Sequence, residues 1–285
     1  MVLVITGKTH INVNLSAEYQ QETVMNQFSR MELVMGAEAL EILNRSRVAV
    51  FGVGGVGGYV VEALTRSGIG ELDIIDDDKV CLTNLNRQII ATRDTVGRQK
   101  VDVCEERILS INPDVTVHKH QTFYLPEKAA EFDFVHYDYI VDAIDTVSAK
   151  LDLVMQAQKH GVPIIAAMGC GNRVDPGRLV CTDIYKTEMD PLSKVMRREL
   201  KKRGVRGLKV VYSTEPPIKP YISEANSCHS HCICPPGVQR TCLQRRSVPG
   251  STAFVPAAAG LMIAAEVVRD LTSFDPKGRV KGGRQ

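Results

Sequence analysis

Between Val50 and Gly58 the chain reads VFGVGGVGG, and no other stretch limits the fold as much. Gly52, Gly54 and Gly57 fit the spacing G-x-G-x-x-G, with Gly55 between them. The apolar run RVAVFG before them predicts a strand, and the residues from Gly55 to Ser67 predict a helix that Gly68 ends. A glycine turn between a strand and a helix lets backbone approach a phosphate, and the helix N-terminus offers unpaired N–H groups to the anion. An acidic group at the end of the next strand should then grip ribose hydroxyls. Asp76 stands there, about 20 residues on, as the dinucleotide fingerprint asks. The turn alone does not choose between NAD and ATP.

The rest of the chain alternates in the same rhythm. ELDIID, DVTVHKH, YDYIVDAID and VPIIAAMG read as strands. The intervening stretches from Gly97 to Ile111 and from Thr146 to His160 read as helices. Strands alternating with helices predict an α/β fold, a Rossmann-like doubly wound sheet, mainly parallel, with helices on both faces. Helices are also predicted over 31–44 and 253–272. Residues 1–27 read as a loosely ordered N-terminal extension and 28–275 as one domain. Residues of about 185–250 break the rhythm as a basic, cysteine-containing insertion, and 276–285 read as a disordered basic tail. A length of 285 residues suits this reading, and 44% hydrophobic with 24% charged residues is ordinary for a globular protein. No secretion signal is evident at the N-terminus, and the apolar run over 253–265 falls short of the roughly 18–20 residues a membrane span needs. The eight cysteines therefore point to free or metal-bound thiols in a reducing cytoplasm.

The segments beyond the glycine turn lean toward ATP. Asp76, Asp77 and Asp78 are followed by KVCLTNLNRQ, then TVGRQK, then VDAIDT. Arg87 and Lys100 are suited to neutralise a polyphosphate, and Asp145 at a strand end is suited to hold Mg²⁺ through a hard oxygen. Each also has a plainer reading. Surface Arg and Lys are common, and Asp145 would serve as a cap for the helix at Thr146.

Taken together, these pieces resemble the adenylating superfamily of ubiquitin-activating enzymes and their bacterial relatives. The glycine turn, the acidic strand end with TNLNRQ, VGRQK and DAIDT carry the likeness over residues 28–170. The resemblance implies that Asp76 holds the ribose, with Asp78 at the same nucleotide site. It implies that Asn84, Arg87 and Lys100 attend the phosphates and that Asp145 attends Mg²⁺. It further implies a homodimer in which Arg30, of FSR, reaches into the partner's ATP site. Within the superfamily, IYKTEMDPLSKVMRREL, INPDVTV and YIVDAIDTVSAK are similar to the tRNA threonylcarbamoyladenosine dehydratases. That branch implies ATP-dependent cyclisation of a threonylcarbamoyl group on a tRNA adenosine next to the anticodon, through an acyl-adenylate. Family likeness also implies a cysteine-desulfurase or sulfur-acceptor partner system. The alternative is activation of a ubiquitin-like sulfur carrier. Those enzymes carry two paired C-x-x-C motifs, and Cys170 here has no partner three residues on. An NAD-binding oxidoreductase and a non-catalytic tRNA scaffold are the readings from other classes.

A net charge of only +2 means that a tRNA partner must meet a local basic patch. Arg197, Arg198, Lys201, Lys202, Arg203, Arg206 and Lys209 supply one against the single acid Glu199, and Arg245 and Arg246 lie further on. Their plainer reading is a solvated helix face. Cys228, Cys232, Cys234 and Cys242 cluster with His229 and His231. Such a group suits zinc or an Fe–S cluster, reactive thiols or inert ones, and its spacing matches no standard finger. Cys81, Cys104 and Cys181 read as small core residues, and Cys170 as packing at a strand end.

Overall fold

The computed structural model describes residues 25–221, 223, 235, 249–275 and 279–280. Two short helices open it, α1 (Ser29–Met35) and α2 (Ala37–Arg45). Next come β1 (Arg47–Phe51), α3 (Gly57–Arg66), β2 (Glu71–Ile75), α4 (Lys100–Ile111), β3 (Thr116–His120) and β4 (Tyr139–Asp142). They lead to α5 (Val147–His160), β5 (Ile164–Ala167), β6 (Leu179–Asp183), α6 (Pro191–Lys202), β7 (Lys209–Ser213) and α7 (Phe254–Thr272). A small antiparallel pair, β8 (Phe274–Asp275) and β9 (Arg279–Val280), ends it.

Strands β1 to β7 form one sheet in the order β3-β2-β1-β4-β5-β7-β6, parallel except for β6, which runs antiparallel to β7. All five expected strands are present. Of the two others, β6 lies just before the stretch where the sequence rhythm breaks and β7 lies within it. The part of the 185–250 stretch that is described therefore belongs to the sheet up to Ser213. The four clustered cysteines, Arg245 and Arg246 lie outside the described residues, as do residues 1–24 and most of the tail.

Side-chain alternation divides the core into two faces. Val48 and Val50 of β1 and Leu72 and Ile74 of β2 pack against α2, α3, α4 and α7. Ala49 and Phe51 point the other way, toward α5 and an aromatic group. There Phe51 meets Tyr124 and Phe132 with ring centroids 5.0 and 5.4 Å apart. Helix α6 extends that face over Ala166 and Val210. Helix α7 is apolar nearly all round because it closes the first face, burying Val255, Ala259, Ile263 and Val267. Among the described residues no helix is long and apolar enough to cross a membrane.

The far end of α7 is tied to the sheet. The buried Tyr139 hydroxyl donates to Asp270 Oδ2 at 2.6 Å, and Lys209 Nζ donates to both Asp270 oxygens at 2.7 and 2.6 Å. Tyr139→Phe should lower the unfolding free energy by about 1.5–3 kcal/mol, the range for hydrogen bonds to charged groups. Lys209→Met, at a part-exposed pair, should cost no more than about 1 kcal/mol. Urea unfolding of the two variants checks the order.

Candidate nucleotide site

In a sheet of this order, ligands gather beyond the C-terminal ends of the strands where the winding reverses, here between β1 and β4. The glycine turn lies there. Gly52 has φ +90°, and a Cβ on it would meet Ala143 O at 2.9 Å. A Cβ on Gly57 would fall 1.7 Å from Gly52 O, so the turn closes only with hydrogen at that position. Gly54 differs. A Cβ there would have ordinary room, with Gln88 Nε2 at 3.8 Å, so that glycine leaves space rather than closing the turn.

Asp76 comes just after β2 and holds the turn from the side. Its Oδ2 accepts from Val53 N at 3.0 Å and its Oδ1 from Asp78 N at 2.9 Å. Lys100 Nζ, from the first residue of α4, donates to Asp78 Oδ2 at 2.9 Å and to Asp76 Oδ1 at 3.4 Å. Burial alone would pull Lys100 down, but the Asp76 and Asp78 carboxylates outweigh it and hold the ammonium above its ordinary value. Burial pushes Asp76 up, and Lys100 opposes that shift. Asp76, Asp77 and Asp78 stand close enough together for a cation, yet Lys100 already bridges two of them.

The TNLNRQ segment wraps the open side. Asn84 Oδ1 accepts from Cys81 N at 3.0 Å and shapes its own turn. The Arg87 side chain lies against Gly55, its Cγ 3.4 Å from where a Cβ would be, and its Nη1 donates to Thr83 O and Asn86 Oδ1. Gln88, which sequence reasoning passed over, is buried beside Gly54, and its Oε1 has no hydrogen-bond partner among the described residues. An arginine and an open glycine on one turn fit a phosphate, and the orphaned amide oxygen fits a donor such as a nucleotide hydroxyl.

Asp145 lies on the other side of the turn. It is exposed, beyond the end of β4, and accepts from Thr146 Oγ1 at 3.4 Å. Thr146 is the N-cap of α5, and its own side chain makes no cap hydrogen bond. Beneath it is a pair that the sequence did not reveal. Lys150 Nζ, wholly buried, donates to Asp142 Oδ1 at 2.9 Å and to Ile144 O at 3.0 Å. Burial pushes Asp142 up against the pull of Lys150. Near the end of β5, burial and then the Asp190 carboxylate push the Cys170 thiol up to about 12, which leaves it a packing group.

This geometry has relatives. The ThiF family model matches residues 27–282. The chain belongs to the ThiF family. Within it, a tRNA threonylcarbamoyladenosine dehydratase of Bacillus subtilis is 40% identical over 90% of this chain and 99% of its own length. The E. coli tRNA N6-threonylcarbamoyladenosine dehydratase, solved in complex with ATP, is 32% identical with a TM-score of 0.73 and covers 87% of this chain and 94% of that one. The same E. coli protein in complex with AMP superposes with a TM-score of 0.74.

Other residues singled out in this ThiF-family chain lie apart from the turn. Arg30 is exposed on α1, two residues from Phe28, whose ring lies against Gly68 past the C-terminal end of α3. The glycine turn lies at the opposite end of that ten-residue helix, about 15 Å away. Of the basic run, Arg198, Lys201, Lys202, Arg203 and Arg206 are exposed. Arg197 instead turns inward and donates to Thr187 O at 2.7 Å and to the Thr187 hydroxyl. Lys209 is spent on α7, on the opposite face of the sheet from α6. Glu199 is better partnered than its isolation suggests. It pairs with Arg198, Lys202 and Arg203, and Lys202 and Arg203 hold it down at about 2.

Removing Lys150 alone leaves a buried carboxylate without its cation. Lys150→Met should therefore cost about 3–5 kcal/mol of stability, whereas the double variant Asp142→Leu, Lys150→Met should recover most of it. Chemical denaturation of the three proteins decides this.

Proposed function

We propose that this ThiF-family chain is an ATP-dependent tRNA threonylcarbamoyladenosine dehydratase. The observation that carries the reading is the match to the B. subtilis dehydratase over 99% of that protein. The site supports it, because the residues expected around a nucleotide converge on one turn. The threonine carboxylate of the modified adenosine is a poor electrophile. Its attack on the α-phosphate of ATP gives an acyl-adenylate and pyrophosphate. The carbamoyl group then closes on the activated carbonyl and expels AMP. Ring closure is intramolecular, so positioning supplies much of the acceleration.

Each group has a part in this. The backbone at Gly54 and Gly55 faces the phosphates, as does the α3 N-terminus. Asp76 sets the turn and takes the ribose edge. Arg87 and Lys100 answer the negative charge that moves onto the leaving pyrophosphate, with Asn84 shaping the loop that presents Arg87. Asp145 would hold Mg²⁺, which supplies charge neutralisation on the polyphosphate when bound. Arg30 is too far from its own turn, and a homodimer would bring it to the partner's. The exposed cations of α6 suit tRNA phosphates, and the cysteine group, with zinc or an Fe–S cluster, belongs to the same reading. So do a desulfurase partner system and a cytoplasmic setting. Sulfur-carrier activation is the weaker reading. A sulfur carrier protein adenylyltransferase of Thermus thermophilus matches 46% of this chain.

Purified protein with Mg-ATP and threonylcarbamoyl-modified tRNA should yield a nucleoside lighter by one water, measured by mass after digestion. No mass loss under conditions where tRNA binds sinks the proposal. Arg87→Ala and Asp145→Ala should each lower turnover by about 100-fold or more, with unfolding midpoints unchanged. Replacing Arg198 and Lys202 by alanine should weaken binding of all tRNAs alike. It should also flatten the salt dependence by about one unit of slope for each phosphate that no longer meets a cation.

A further inference from the structure

One buried cation has no adequate partner. Arg173, in the loop after β5, is 2% exposed. Its one salt bridge among the described residues is Nη2 to Asp190 Oδ1 at 3.4 Å, and the next carboxylate, Glu215, feels its charge while spending its oxygens on Val174 N and Asp175 N. Asp190 is committed elsewhere as the N-cap of α6, where its Oδ2 accepts from Ser193 N and Ser193 Oγ, both at 2.7 Å. Arg173 Nε and Nη1 have no hydrogen-bond partner among the described residues. Two other buried cations differ: Lys100 and Lys150 each have close carboxylate bonds. A buried guanidinium with unmet donors costs stability, so its retention calls for a ligand.

The loop's position says which. On one side, Arg173 O accepts from Thr252 Oγ1 at 3.3 Å, and neighbouring Ser251 O accepts from Asn86 Nδ2 at 2.9 Å, beside Arg87. On the other side, Asp190 Oδ1, which Arg173 meets, lies against Gly169 just past β5, and β5 pairs in parallel with β4, whose continuation carries Asp145. Arg173 thus lies between the Arg87 segment and the Asp145 segment, on the β5 side of the nucleotide turn. In the reading above, Arg87 and Lys100 attend the phosphates. What lacks a cation is the carboxylate that must attack the α-phosphate.

We propose that Arg173 receives the threonine carboxylate of the modified tRNA and orients it toward the nucleotide. A planar fork of N–H groups matches a carboxylate two-to-two, and Arg173 Nε and Nη1 have donors to give. The inference rests on the dehydratase reading above.

The test compares equilibrium binding of two tRNAs, identical except for the threonylcarbamoyl group, to wild-type protein, Arg173→Met and Arg173→Gln, with unfolding midpoints for each. Wild type should prefer the modified tRNA by about tenfold or more, as a charge-assisted bidentate contact allows. Both variants should lose that preference while keeping the affinity for unmodified tRNA, whatever the midpoint loses because the buried Asp190 is left without its cation. Retained preference in the variants overturns the inference, and so does an equal loss of affinity for both tRNAs, which would make Arg173 structural. If wild type neither prefers nor dehydrates the modified tRNA, the dehydratase reading itself has failed.

Discussion

The buried bridge from Lys100 to Asp76 and on to Val53 N organises the nucleotide edge of this protein. It joins three elements that are distant in sequence: the turn after β1, the end of β2 and the start of α4. A lysine at the first position of a helix works against the helix dipole, and burial works against its charge. Two carboxylates outweigh both. Because Asp76 spends one oxygen on Val53 N, the glycine turn cannot drift from the β2 end without breaking the bridge. The Gly57–Gly52 approach then sets where α3 begins, and so where its free N–H groups point.

A second bridge, between Lys150 and Asp142, does for β4 what the first does for β2. It grips the Ile144 carbonyl and so sets the path of the loop that carries Asp145. Between them the two pairs keep the strand ends of β1, β2 and β4 in one arrangement. A site meant to stabilise charge during phosphoryl chemistry depends on such pre-set geometry, since dipoles already in place need no reorganisation.

Much of this was legible in the sequence because it rests on local signals. Glycine spacing, alternating apolar runs and the helix stop at Gly68 gave the five central strands and the helices between them. The structure trims their ends. Helix α4 begins at Lys100 rather than Gly97, because Gly97 has φ +90° and turns the chain before the helix starts. Strands β6 and β7 were hidden by composition. LVCTD is a half-exposed edge strand, and KVVYS comes after a dense basic run that reads as surface. Roles that depend on tertiary partners were not legible at all. Nothing in the run from Met196 to Lys209 says that Arg197 turns inward or that Lys209 belongs to α7. Gln88 and Lys150 look like ordinary polar residues until burial is known.

The charges of this chain fall into two kinds, which net charge conceals. Arg47, Lys100 and Lys150 are cations drawn to carboxylates on or just past the strands, where they hold strands and loops in place. The cations of α6 stand at the surface, and Glu199 draws three of them together rather than cancelling them. Helix α6 has five basic residues against one acid, an excess of four that is larger than the chain's total of +2, so the rest of the chain is net acidic and the total hides the local excess. Screening acts on the second kind and barely on the first. Salt can therefore modulate how a polyanion meets α6 while leaving the nucleotide edge intact. Arg173 belongs to neither kind, being buried like the first and short of partners like the second.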